Sequence, residues 1–146
     1  MKSKSLASVS LASLLLVSPL IEAQAFTVTI DAGHGYNTPG KRAVDSSFRE
    51  WEINDAVADY LQPMLESKGI TVYRVDDITG QTDVSLNSRL QQAINYGSDL
   101  HVSIHQNATG DGWTDATGTE TYYSILGSQK SQDLARQVAE KMANYI

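Results

Sequence analysis

Apolar and polar positions alternate along Phe26–Asp31, where Phe26, Val28 and Ile30 stand between Thr27, Thr29 and Asp31. A period of two predicts a β-strand. The strand stops in Gly33-His34-Gly35, whose two glycines free the backbone for a tight turn that projects His34 from the strand's end. After a turn-rich loop the period changes. Ile53, Ala56, Val57, Tyr60, Leu61, Met64 and Leu65 fall at helical spacing and predict a helix from about Arg49 to Ser67. Ser46 or Ser47 is placed to cap it, Pro63 should kink or loosen its last turn, and Lys68-Gly69 should end it.

Ile70–Arg74 predicts a second strand. Asp83 or Ser85 then opens a helix with Leu86, Leu90, Ala93 and Ile94 on one inward face. Asp99–Ile104 predicts a third strand, which ends on His105. Gln106–Gly118 is a loop with Trp113 at its middle, and Thr119–Ile125 predicts a fourth strand. Ser128 or Ser131 opens a last helix with Leu134, Ala135, Val138, Ala139 and Met142 inward. This β-α-β-α-β-β-α order implies an α/β sheet covered by helices. Such a unit normally feeds another strand, so a continuation past Ile146 is expected.

Length and composition then narrow the setting. The 146 residues favour one domain. Residues 1–25 read as a signal peptide: Lys2 and Lys4 precede an apolar run from Leu6 to Leu20, and Ala23-Gln24-Ala25 fits a cleavage site. A retained anchor is the alternative; on the first reading the mature domain, 26–146, has no stable membrane insertion. Its address is secreted or periplasmic. There is no cysteine, so any metal must sit on His, Asp or Glu. Loss of Lys2, Lys4 and Glu22 leaves nine basic and sixteen acidic residues, a net charge of −7. An acidic surface argues against nucleic acid as a partner.

Two histidines at two strand ends, His34 and His105, suggest one metal site. A catalytic zinc takes three protein ligands and leaves a position for water. The third candidate is Glu50. It lies three residues before Ile53 and seven before Val57, on the inward stripe, whereas Glu52 points about 200° away from it around the axis. Taken alone, Glu50 reads more readily as a charge facing the helix dipole than as a ligand. His101 stands four residues before His105, about 13 Å along a strand, so both cannot hold one ion. His101 is expected to be structural, with a backbone partner. There is no H-E-x-x-H, and the residue three after His34 is Asn37, which excludes two familiar zinc-enzyme patterns.

Five segments resemble the zinc-dependent N-acetylmuramoyl-L-alanine amidases of bacterial cell-wall remodelling and phage endolysins, the amidase-3 type. They are Ile30–Gly35, Arg49–Asn54, Val84–Arg89, Asp99–Ala108 and Gly118–Tyr123, in the family's order. The resemblance implies a twisted central sheet, largely parallel, with helices on both faces. It implies Zn2+ held by His34, Glu50 and His105, and hydrolysis of the amide between N-acetylmuramic acid and L-alanine in peptidoglycan. It places the general base, a glutamate, on a strand beyond residue 146, so these residues alone are expected to bind zinc and turn over little. Asp31 is expected to orient a ligand or the loop, Asn107 to lie at the site, and Glu120 either to line the cleft and position substrate or to be structural. Arg89 is expected to pair with a loop carboxylate. Trp113 either stacks on substrate or caps the core edge, and one of Tyr122 and Tyr123 packs while the other nears the cleft. A monomer is expected. The competing readings are a non-catalytic wall-binding or regulatory module and another exported zinc hydrolase, a peptidase or deacetylase.

Overall fold

A computed structural model describes residues 25–38, 40–110 and 112–145. The leader expected over 1–25 falls, apart from Ala25, outside them. The chain forms β1 (Thr27–Ala32), α1 (Glu50–Glu66), β2 (Thr71–Arg74), α2 (Leu86–Asn95), β3 (Leu100–Ile104) and α3 (Gln129–Met142). The three strands make one parallel sheet in the order β2-β1-β3. β1 is therefore central, and only its first residue is not fully buried.

Alternation along β1 gives the sheet two unlike faces. Val28, Ile30 and Ala32 point one way and pack with Val72 against Ala58, Leu61 and Leu65 of α1; Leu100, Val102 and Ile104 of β3 border this core. Burying a side chain such as Ile30 contributes about 1.5–3 kcal/mol. Thr29 and Asp31 point the other way, toward α2, and are buried polar groups. Each is satisfied, as a buried polar group must be. Thr29 Oγ1 bonds Ser98 Oγ and His101 Nδ1, both at 3.0 Å. Asp31 pairs with Arg89 of α2 and accepts from Ser103 Oγ at 2.9 Å. On β2, Arg74 clamps α1 to the sheet through Asp55 at 2.6 Å and Asp59 at 2.9 Å.

Several expectations need correction. Arg49, not Ser46 or Ser47, is the N-cap of α1, and Glu52 Oε2 reaches back to accept its N–H at 2.6 Å. The buried line of α1 is Glu50, Asn54 and Ala58, continued by Leu61 and Leu65, while Val57, Tyr60 and Met64 are exposed. On α2 the buried residues are Arg89 and Ala93; Leu86, Leu90 and Ile94 are exposed. α3 is capped by Ser128, but it buries none of its residues fully. No strand forms over 119–125 among the described residues. A strand is stabilised by ladder partners, and this segment pairs with none of the three strands. Tyr122 and Tyr123 are accordingly both exposed, and Trp113 does not cap the core.

Candidate metal centre

β1 and β3 lie side by side with Ala32 opposite Ile104, and Gly33 N–H donates to the Ile104 carbonyl at 3.0 Å. The ladder thus extends one step beyond β1 and sets the following residues, His34 and His105, next to each other. Their rings meet edge to face with centroids 5.1 Å apart. Gly33 makes this approach possible, because a Cβ there would overlap the His105 ring. The glycines serve space rather than backbone freedom. It is His34 that adopts the left-handed conformation, at φ 67°, while Gly33 and Gly35 do not. That conformation costs a non-glycine residue roughly 1–2 kcal/mol.

Glu50 opens α1 and is 3% exposed. Its Oε2 accepts from Lys41 N–H at 2.6 Å and lies 3.5 Å from His34 Nε2. Its Oε1 accepts from Gln106 N–H at 3.0 Å and lies 2.9 Å from His105 Nδ1. Burial opposes the charge. The Lys41 N–H, the His105 ring, the Gln106 N–H and the field of His34 together outweigh it and hold the carboxyl below its ordinary range. Glu50 is thus a carboxylate at neutral pH, the form that binds a metal. One turn on, Asn54 is fully buried, donates to the Gly33 carbonyl at 3.1 Å and accepts from Gln106 Nε2 at 3.2 Å. It ties α1 to both strand ends.

Donor atoms of His34, Glu50 and His105 all lie within 4.8 Å of one another. Two imidazoles and a carboxylate are a donor set that zinc takes in open, four-coordinate sites. At zinc–ligand distances of about 2.0–2.2 Å, tetrahedral donors stand roughly 3.3 Å apart. The 2.9 Å and 3.5 Å separations around Glu50 run through different carboxylate oxygens, and with one atom from each residue the donors lie within 4.8 Å of one another, so the widest pair closes somewhat when the ion is held. The residues therefore fit the ion.

Beside the cluster opens a cleft of about 470 Å³, whose walls include His34, His105, Asp83, Leu86 and Arg89. Asp31 lines it too, but its hydrogen bonds go to Arg89 and Ser103, so it acts on the loop through Arg89. Arg89 also takes the loop carboxylate of Asp83 at 2.9 Å. Asn107 and Glu120 are exposed and bonded to each other at 2.9 Å. His101 is not in the cluster; its partner is the Thr29 side chain, not backbone, and burial lowers its pKa. Sequence reasoning passed over Asn54 and Asp83 and read Arg89 only as a salt bridge.

Residues 28–146 match the family described as N-acetylmuramoyl-L-alanine amidase, amidase-3. The chain belongs to this family. It is 32% identical over 118 residues to the N-acetylmuramoyl-L-alanine amidase LytC of Bacillus subtilis, covering 80% of this chain and 23% of that protein. It is 34% identical over 102 residues to a sporulation-specific N-acetylmuramoyl-L-alanine amidase of the same organism, covering 69% and 37%. Among solved structures, an N-acetylmuramoyl-L-alanine amidase from Clostridium difficile 630 superposes with a TM-score of 0.74 at 38% identity, over 83% of this chain and 64% of that one. This amidase-3 chain thus spans under two fifths of the curated relatives and under two thirds of the solved one. Among its described residues, no helix is long and apolar enough to cross a membrane.

Proposed function

We propose that this chain carries the metal centre of an exported, zinc-dependent N-acetylmuramoyl-L-alanine amidase. It would hydrolyse the amide between the lactyl group of N-acetylmuramic acid and L-alanine of the peptidoglycan stem peptide. The observation that carries this reading is the convergence of His34, Glu50 and His105 at the strand ends of an amidase-3 chain. When bound, zinc would polarise the scissile carbonyl and acidify the attacking water.

The residues of this chain hold and shape the site. His34 and His105 present imidazoles from adjacent strands, and Glu50 brings the negative charge that makes a divalent ion welcome in a buried place. The Lys41 and Gln106 N–H groups fix both carboxylate oxygens, so Glu50 does not swing away. The cleft beside the cluster receives the substrate. Water adds to the carbonyl, the lactyl carboxylate is released, and the leaving alanine amine takes a proton from a general acid–base. Asp31 and Asp83 face the cleft, but both are paired with Arg89 and neither is free for that task. The base is assigned to the glutamate that the family resemblance places on a strand after α3.

The test is digestion of purified peptidoglycan by the zinc-loaded, full-length protein. New free N-terminal alanine without new reducing ends is expected. Release of acetate or of other amino termini, with no N-terminal alanine, would overturn the assignment.

A further inference from the structure

Arg89 is 2% exposed, and its N–H groups are directed at the end of β1, at the turn that carries His34 and at the loop before α2. Nε donates to the Val84 carbonyl at 2.6 Å. Nη1 donates to Asp31 and to the Ala32 carbonyl, the latter at 2.8 Å. Nη2 donates to the His34 carbonyl at 3.1 Å and to Asp83 Oδ1 at 2.9 Å. These bonds use the full donor capacity of a guanidinium. The carbonyls of residues 32 and 34 flank Gly33. One rigid plane therefore fixes the backbone on both sides of the glycine that lies against His105, and it supports His34 in its left-handed conformation.

Asp83, held by Arg89 through one oxygen, faces the His34 ring with the other, 4.0 Å from Nδ1, beyond direct hydrogen-bond reach, so it acts on the ring through its charge. The opposite ring nitrogen, Nε2, faces Glu50. The two nitrogens of His34 thus have different neighbours: a carboxylate on one side and the ligand cluster on the other. A histidine that ligates through one nitrogen carries its proton on the other, and a carboxylate on that side fixes ring orientation and tautomer.

We propose that Arg89 and Asp83 are positioning residues for the metal centre. Arg89 holds the Ala32–His34 backbone and the Asp83 carboxylate together, and Asp83 keeps the His34 proton on Nδ1 with Nε2 turned to the ion. This role rests on the metal-centre reading above. Lysine cannot replace Arg89, because a point charge on a flexible stem does not reproduce the planar fork.

The test measures zinc affinity by chelator competition at neutral pH, on the full-length protein, for the parent, Asp83→Ala, Asp83→Asn, Arg89→Lys and Glu50→Ala. Melting of each metal-free protein and nitrogen-15 spectra of the histidine rings accompany it. Asp83→Ala is expected to weaken zinc by more than about threefold, toward the roughly 10–100-fold lost when a directly hydrogen-bonded partner goes, while metal-free melting stays cooperative and close to the parent's. Asp83→Asn, which keeps an acceptor without its charge, should fall between. Arg89→Lys should lose affinity as well; if it fails to fold, the Asp83 series alone decides. Zinc affinity within twofold of the parent in Asp83→Ala, or His34 ligating through Nδ1, would overturn the positioning role. Should the parent bind no zinc, or bind it equally after Glu50→Ala, the metal-centre reading itself falls and the positioning role with it.

Discussion

Replacing Gly33 with alanine puts a methyl group inside the volume of the His105 ring. The backbone at Gly33 is not left-handed, so alanine suits it and only space is at issue. Nor can the main chain recede: Gly33 N–H is bonded to Ile104 O at 3.0 Å and Gly33 O to Asn54 Nδ2 at 3.1 Å. Carbon atoms in contact keep about 3.5–4.0 Å, so the ring must shift by on the order of 1 Å. Metal–ligand distances tolerate about 0.2 Å. Returning the ring to its ligating place against the methyl group costs roughly 1–3 kcal/mol, the usual penalty of overpacking. At 1.4 kcal/mol per tenfold, zinc binding should weaken about 5- to 150-fold. Chelator competition measures this, with His105→Ala as the reference for a lost ligand. Zinc affinity within twofold of the parent's would refute the claim that Gly33 makes room for a ligand.

Other consequences follow from neighbouring residues. Asn54→Ala leaves the Gly33 carbonyl without its buried donor and should cost roughly 1–3 kcal/mol in urea unfolding; a change under 0.5 kcal/mol would show that the bond does not tie α1 to the strand end. Glu52→Ala removes only a capping interaction, so a loss of roughly 0.5–1 kcal/mol is expected with zinc affinity unchanged; a fall in zinc affinity comparable with that of Glu50→Ala would contradict the distinction between the two glutamates. Burial lowers the pKa of His101 in the folded chain. Below the unfolded value of about 6.5 the unfolded chain therefore binds more protons, so its contribution to stability is complete above that pH and is lost as pH falls toward the folded value. Unfolding free energies between pH 8 and 5 should fall more steeply for the parent than for His101→Asn, and equal slopes would count against a half-buried, neutral imidazole.

Most of the framework could be read in advance because the local signals agreed with one another. Period-two alternation marks β1, glycines close α1 and α2 at Gly69 and Gly97, and Ser85 and Ser128 cap α2 and α3. Helical phase told Glu50 from Glu52, although the stripe used for it was drawn through Val57, which is exposed, rather than through Asn54 and Ala58. Phase said nothing of Asn54, whose inward place depends on a partner, the Gly33 carbonyl, 21 residues away. Arg89 does take a loop carboxylate, Asp83, as its sequence setting suggested; its second pairing, with Asp31, was not read, although a carboxylate in a central strand was a signal that some cation had to reach it. The Thr- and Tyr-rich stretch at 119–125 has strand composition without a ladder partner, and pairing is not a local property. The turn at His34 was located but its physics was inverted, because a close approach between residues 33 and 105 exists only in three dimensions.

The central claim is that three side chains distant in sequence share one ion. Anomalous diffraction at the zinc edge, from crystals of the zinc-loaded full-length protein, measures it directly. A single peak within about 2.0–2.2 Å of His34, Glu50 and His105 is the predicted result. A peak held elsewhere, or one that Glu50 does not touch, would contradict it.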